Sequence, residues 1–205
     1  MEFKKVAVLG GAGTMGCDIV QTIAQAGIEV LIFETNLELA QKVKTKLEKV
    51  FQKLVDRGKL SAQDKQNMLD RIVLCANYEA MADVDLVIEA VFENIQATRD
   101  IFKQLDEIVK PETVLASNTS ALSLTEIGSA TNRPDKVIGL HFFNPVPVMK
   151  RVELEMGWAT SEETYQASVV FCEQIGKKVR YGWRRCVLGS SLNLNNDLQS
   201  TSFIC

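Results

Sequence analysis

The chain lacks any apolar run approaching the roughly twenty residues needed to span a bilayer, and no charged segment followed by a hydrophobic one opens it. No membrane association is expected, and a cytoplasmic location is the default. Cysteine offers no framework: Cys17, Cys75, Cys172, Cys186 and Cys205 are odd in number and widely scattered. That spacing suggests neither a disulfide scaffold nor a CxxC metal site, so reduced, mostly structural thiols and no bound metal are expected. A net charge of -3 gives no general reason to expect nucleic acid as a partner. There is no internal repeat, and histidine occurs once, at His141. What is present is 205 residues, 46% hydrophobic and 24% charged, enough for one domain of ordinary size with a substantial core.

The order of patterns predicts an α/β fold. Residues 3–9 read as a buried strand, 14–26 as a helix and 28–33 as a second strand, an alternation that means a parallel sheet. Apolar residues then recur at helical spacing over 37–57, with lysines between them. Gly58 breaks that helix, and a second short one follows over 62–69. Further strands are expected at 72–75, 85–89, 114–116, 136–140 and 151–155, with helices at 96–109, 123–129 and 162–175, the last capped by Gly176. The expectation is a doubly wound, Rossmann-like, mostly parallel sheet over 1–178, with a protruding helical pair over 37–71. After Lys178 the sequence has no sustained period and is rich in Ser and Asn, so 179–205 is expected to be a poorly structured tail.

Gly11, Gly13 and Gly16 form GxGxxG, a weak signal alone because glycine is common. Context strengthens it: a buried strand precedes, a helix beginning at Thr14 and Met15 follows, and Glu34 ends the second strand where a ribose-binding acid belongs. Gly11 would permit the tight turn, Gly13 would let backbone approach a pyrophosphate, and Gly16 would let helix pack on strand. Phosphate would then sit on free N–H groups at the positive helix end. A carboxylate at Glu34 accepts ribose hydroxyls and repels a 2′-phosphate, favouring NAD over NADP. A glycine turn serving another ligand, or none, is the alternative.

His141 falls at the carboxyl end of a predicted strand, where ligands bind in open α/β sheets. A lone histidine is usually structural, but this one precedes a Phe-Phe-Asn-Pro turn offering Asn144, and Glu153 sits on the next element where it could orient the imidazole. Oxidation of an alcohol needs such a pair, because the hydroxyl proton must leave as hydride departs from carbon. Ser117, Asn118, Thr119 and Ser120 follow another strand at the same edge. They could hold a reacting oxygen or cap the next helix.

The glycine turn, the run Ala-Ser-Asn-Thr-Ser-Ala-Leu-Ser over 116–123 and above all Gly-Leu-His-Phe-Phe-Asn-Pro-Val-Pro-Val-Met-Lys over 139–150 resemble the NAD-dependent 3-hydroxyacyl-CoA dehydrogenases, bacterial 3-hydroxybutyryl-CoA dehydrogenases in particular, across about 3–178. The resemblance implies an oxidoreductase of fatty acid and butyrate metabolism. In it His141 is the catalytic base, Glu153 its orienting partner, Ser120 a donor to the substrate 3-oxygen, Asn144 a contact near the nicotinamide and Glu93 a cofactor contact. A cofactor-binding lysine common five residues after that glutamate is replaced by Thr98.

The resemblance also gives the helical pair a role in clasping an acyl-CoA. Arg57 is the first choice for its phosphates, with Lys46, Lys49, Lys53 and Lys59 as support; a solvated helix face is the alternative reading. Family members continue into a helical domain that dimerises and closes over the substrate. No counterpart of that domain, of its dimer contacts or of its Pro-Gly-Phe-Val-x-Asn-Arg motif follows here. Two functions are therefore expected: an enzyme interconverting (3S)-hydroxyacyl-CoA and 3-ketoacyl-CoA, or an NAD-binding module with little or no turnover.

Overall fold

A computed structural model describes residues 2–181. The chain runs β1 (Lys5–Leu9), α1 (Thr14–Gln25), β2 (Glu29–Phe33), α2 (Leu37–Asp56), α3 (Ala62–Asp70), β3 (Ile72–Cys75), β4 (Leu86–Glu89), α4 (Ile95–Ile108), β5 (Val114–Ser117), α5 (Leu124–Gly128), β6 (Val137–Phe142), β7 (Arg151–Met156), α6 (Glu162–Gln174) and β8 (Lys178–Tyr181). The strands form a single sheet in the order β3-β2-β1-β4-β5-β6-β7-β8. The first six are parallel, β7 runs antiparallel to β6, and β8 runs parallel to β7.

The apolar strands are continuous because both sheet faces are covered. Val6 and Val8 pack into the core on one side, with Ile19, Val20 and Ile23 of α1 and Phe171 of α6. Their neighbours Ala7 and Leu9 pack into the other core, with Phe102 and Leu105 of α4. Burying a side chain such as Ile19 or Ile23 stabilises the fold by roughly 1.5–3 kcal/mol. Both are fully buried, so α1 is held hard against β1 and β2.

Among the described residues, five of the six α-helices begin on a side-chain cap, from Asn36, Ser61, Asn94, Ser123 and Ser161. The sixth, α1, begins at Gly13 with no side-chain cap. Its first-turn N–H groups therefore have neither an intrahelical nor a capping partner.

Most element ends fall within one or two residues of expectation, and two differences bear on the site. The strand expected to end at Leu140 continues through His141 and Phe142, because antiparallel pairing with β7 extends that far, His141 opposite Glu153 and Phe142 opposite Val152. Val179 and Arg180, expected in the unstructured tail, lie in β8, an edge strand formed by pairing with Val152 and Glu153 rather than by any period of its own. The rest of the expected tail, with Cys186 and Cys205, lies outside the described residues. Cys17, Cys75 and Cys172 are buried free thiols. Burial pushes the Cys75 thiol up to about 11 and that of Cys172 to about 12, which keeps both in the unreactive protonated form. No helix among the described residues is long and apolar enough to cross a membrane.

Candidate active site

The sheet order reverses direction around β1 and β4, and the carboxyl ends of β1, β4, β5 and β6 open on one crevice. A cavity of about 360 Å³ lies there, lined among others by Met15, Glu89, Glu93, Ser120, His141 and Asn144. Five of these six were expected at the site; Glu89 was not.

The turn between β1 and α1 is built at Gly10 rather than Gly11. Gly10 takes φ +78°, a left-handed conformation, and a Cβ there would stand 2.6 Å from the Ala90 carbonyl oxygen. Gly11, the expected turn residue, has no positive φ. The Gly10 carbonyl accepts the Gly13 N–H at 3.0 Å, closing the turn. Gly16 serves the helix packing expected of it, since a Cβ there would collide with the Gly10 carbonyl. At Gly13 the nearest protein atom to an added Cβ would be that same carbonyl oxygen, at 3.3 Å, so the protein fills little of the space above this position.

Glu34 follows β2 and reaches across to the turn, where Oε1 accepts the Ala12 N–H at 2.6 Å. Its other carboxylate oxygen remains available to a ribose. This tie between turn and acid was not legible from spacing alone. The features a dinucleotide needs are therefore together: uncapped N–H groups at α1, a glycine surface without side chains above it, and an acid at the end of β2.

Two carboxylates from the end of β4 hold the segment after β5. Glu89, only 3% exposed, accepts the Val91 N–H at 2.8 Å and the Ser117 hydroxyl at 2.6 Å. Its backbone carbonyl accepts the Asn118 N–H at 2.8 Å. Burial raises the pKa of Glu89, opposed by those two bonds to its carboxylate. Glu93 is exposed, and one of its oxygens accepts the Ser120 N–H at 2.8 Å, the Thr119 hydroxyl at 2.9 Å and the Ser120 hydroxyl at 3.1 Å. The Ser120 N–H, with Thr119 next, holds the Glu93 carboxyl below its ordinary value. The signal that could have found Glu89 is an acid closing the apolar run Leu-Val-Ile of β4. Asn118 does not face a substrate oxygen with its amide carbonyl, which instead accepts the Phe142 N–H at 2.9 Å and ties the β5 segment to β6. Capping of α5 falls to Ser123, and Ser120 instead lines the cavity with its hydroxyl on Glu93.

His141 and Glu153 are directly opposed across β6 and β7, which brings their side chains to the same face. Nδ1 of His141 is 3.5 Å from Glu153 Oε2, and both side chains are about one quarter exposed, at 24% and 23%. A proton on Nδ1 facing the carboxylate leaves Nε2 as the basic nitrogen. Asn144 lines the same cavity two residues beyond β6. Thr98 is fully buried with its hydroxyl unpartnered among the described residues, so it supplies nothing to the crevice.

Arg57 lies elsewhere, at the C-cap of α2, exposed at the tip of the helical pair. Lys46, Lys49, Lys53 and Lys59 are also exposed. Lys46 stands beside the Cys17 thiol, whose pKa burial raises and the ammonium partly restores.

Sheet order, uncapped glycine turn and acidic β2 terminus define a dinucleotide-binding domain of the Rossmann type. Residues 5–181 match the family described as 3-hydroxyacyl-CoA dehydrogenase, NAD binding domain, and the chain belongs to that family. Its cofactor is NAD. The 3-hydroxybutyryl-CoA dehydrogenase of Clostridioides difficile is 46% identical over 173 residues, which are 84% of this chain and 61% of that protein. The crystal structure of 3-hydroxybutyryl-CoA dehydrogenase from Escherichia coli K12 superposes with a TM-score of 0.86 at 36% identity, covering 88% of this chain and 38% of that one. That of (S)-3-hydroxybutyryl-CoA dehydrogenase from Ralstonia eutropha gives 0.84 at 38% identity, covering 88% and 63%. The chain thus spans about three fifths of the curated relative it matches.

Proposed function

We propose that this chain interconverts a (3S)-hydroxyacyl-CoA, 3-hydroxybutyryl-CoA first, and the corresponding 3-ketoacyl-CoA, a reaction of fatty acid and butyrate metabolism. The observation that carries the reading is the cross-strand His141–Glu153 pair, whose histidine lines the cavity together with Met15 of the first turn of α1. NAD, when bound, supplies the acceptor for the C3 hydride. Gly11, Gly13, Thr14, Met15 and Gly16 bind its pyrophosphate, with Gly10 setting the turn, and Glu34 binds the adenine ribose. Glu93 contacts the cofactor, and Asn144 lies near its nicotinamide.

His141 Nε2 takes the hydroxyl proton as the C3–H bond breaks, leaving a carbonyl at C3. Glu153 keeps the ring oriented and stabilises the imidazolium that results; positioned bases of this kind contribute roughly 10²–10⁴-fold. Ser120 steadies the oxygen on which charge changes. Its hydroxyl donates to Glu93 in this structure, so substrate binding exchanges one acceptor for another. Arg57, with Lys46, Lys49, Lys53 and Lys59, forms an exposed basic stripe for the phosphates of the acyl-CoA.

Reduction of acetoacetyl-CoA by NADH tests this reading directly. Turnover that is lost in His141→Ala while NADH affinity stays within about twofold supports it. NADH binding with no turnover by the unaltered chain would make it a cofactor-binding module instead.

A further inference from the structure

The lining of the cavity contains two carboxylates, Glu89 and Glu93, and neither lysine nor arginine. Glu93 faces solvent, where its charge is screened. Glu89 is 3% exposed, and its charge acts through protein. Its partners fit the ionised form. The Val91 N–H donates to one oxygen and the Ser117 hydroxyl to the other. Ser117 Oγ itself accepts the Thr119 N–H at 3.3 Å, so its own proton is free for Glu89. The ionised form thus has a donor on each of its two oxygens.

Among the described residues, the neighbouring basic groups are engaged elsewhere. At the start of α4, Thr98 is neutral and buried. The next residue, Arg99, reaches Glu126 of α5 at 3.4 Å. His141, the one basic side chain of the lining, is paired with Glu153.

We propose that the buried Glu89 carboxylate sets the redox preference of the cofactor site, favouring the cationic nicotinamide of NAD⁺ over the uncharged dihydronicotinamide of NADH. This rests on the reading above, in which the nicotinamide shares the cavity with His141. A cavity of about 360 Å³ is roughly 9 Å across, and a unit charge within that distance, at an effective dielectric near 20, changes the relative affinity of a cation by about tenfold or more. The effect discriminates between the two cofactor forms because they differ in ring charge while sharing the adenosine and pyrophosphate groups that most of the site holds. It pulls the bound equilibrium toward oxidised cofactor, and so toward the direction that consumes a 3-ketoacyl-CoA.

The test is the ratio of dissociation constants for the two forms on the whole chain, NADH by its fluorescence and NAD⁺ by competition, in the wild type and in Glu89→Gln. The amide keeps the shape and can still accept from Val91. The expected result is that NAD⁺ weakens relative to NADH by about tenfold, with a native circular dichroism spectrum. A ratio within twofold of the wild type, in a variant that folds, overturns the proposal. Should Glu89→Gln not fold, the double variant Glu89→Met with Ser117→Ala, which removes both partners of the buried hydrogen bond together, is expected to give the same shift of about tenfold, and a ratio within twofold of the wild type overturns the proposal. If the wild type binds neither dinucleotide, the proposed function falls as well; if it binds both and only the ratio fails to respond, this inference falls alone.

Discussion

Replacing Gly16 with alanine would place a methyl group against the Gly10 carbonyl oxygen, with the Gly10 carbonyl carbon and Gly11 Cα each 2.8 Å away. All three are backbone atoms of a turn closed by the Gly13 to Gly10 hydrogen bond, so no side-chain rotation relieves the contact. α1 must back away from the end of β1. Overpacking of this kind costs about 1–3 kcal/mol, and in a domain of this size each kcal/mol lowers Tm by about 2–4 °C. The same shift moves the uncapped N–H groups at the start of α1, so NADH affinity is expected to fall by at least about tenfold, beyond what the stability loss explains. Gly27→Ala is the control. That residue has φ +87° with nothing within 4 Å of a Cβ, so the variant carries about 1–2 kcal/mol of backbone strain and should bind NADH normally. Thermal melts with NADH fluorescence titrations on the two variants decide the matter. A Gly16→Ala protein that binds NADH like the wild type would refute the reasoning.

Glu153→Gln should keep NADH affinity and lower kcat by roughly 10- to 100-fold, less than the loss in His141→Ala, because it disturbs the base without removing it; equal losses in kcat and NADH affinity would count against an orienting role. Arg133→Ala should destabilise the fold by about 3 kcal/mol in urea titrations, since it strips a buried carboxylate of its one charged partner and leaves it the Asn132 donors alone: Arg133 Nε donates to Asp106 at 2.5 Å, and the guanidinium also caps the Asp106 and Lys110 carbonyls at the end of α4. The folded-state pKa of Glu93 lies below its ordinary value of 4.5. Its contribution to stability is therefore present above 4.5 and lost as pH falls through the lower folded value, and urea midpoints measured across that window should fall less steeply in Glu93→Gln than in the wild type.

Most of the fold was legible because its strands are buried on both faces and its helices carry strong signals. Gly58, after α2, and Gly176, after α6, take positive φ of 66° and 71° where breaks were expected. The glycine turn was legible as a motif but not in register, since Gly10 and Gly11 are adjacent and only three-dimensional proximity to Ala90 shows which must be left-handed. β8 was missed because an edge strand draws its order from a neighbour, here Val152 and Glu153. In the site, His141 and Glu153 stood out by position along the chain, and Ser120 by the resemblance of its surrounding run. Glu89 did not, because its meaning comes from burial and from Ser117 on another strand, neither of which the local sequence displays.

The most direct measurement is a crystal structure of this chain with NAD. The pyrophosphate should lie on the N-terminus of α1 above Gly13, the adenine ribose against Glu34, and the nicotinamide in the cavity with His141 Nε2 facing the substrate side of its ring. A dinucleotide bound elsewhere, or a nicotinamide placed where His141 cannot reach a substrate beside it, would contradict the assignment.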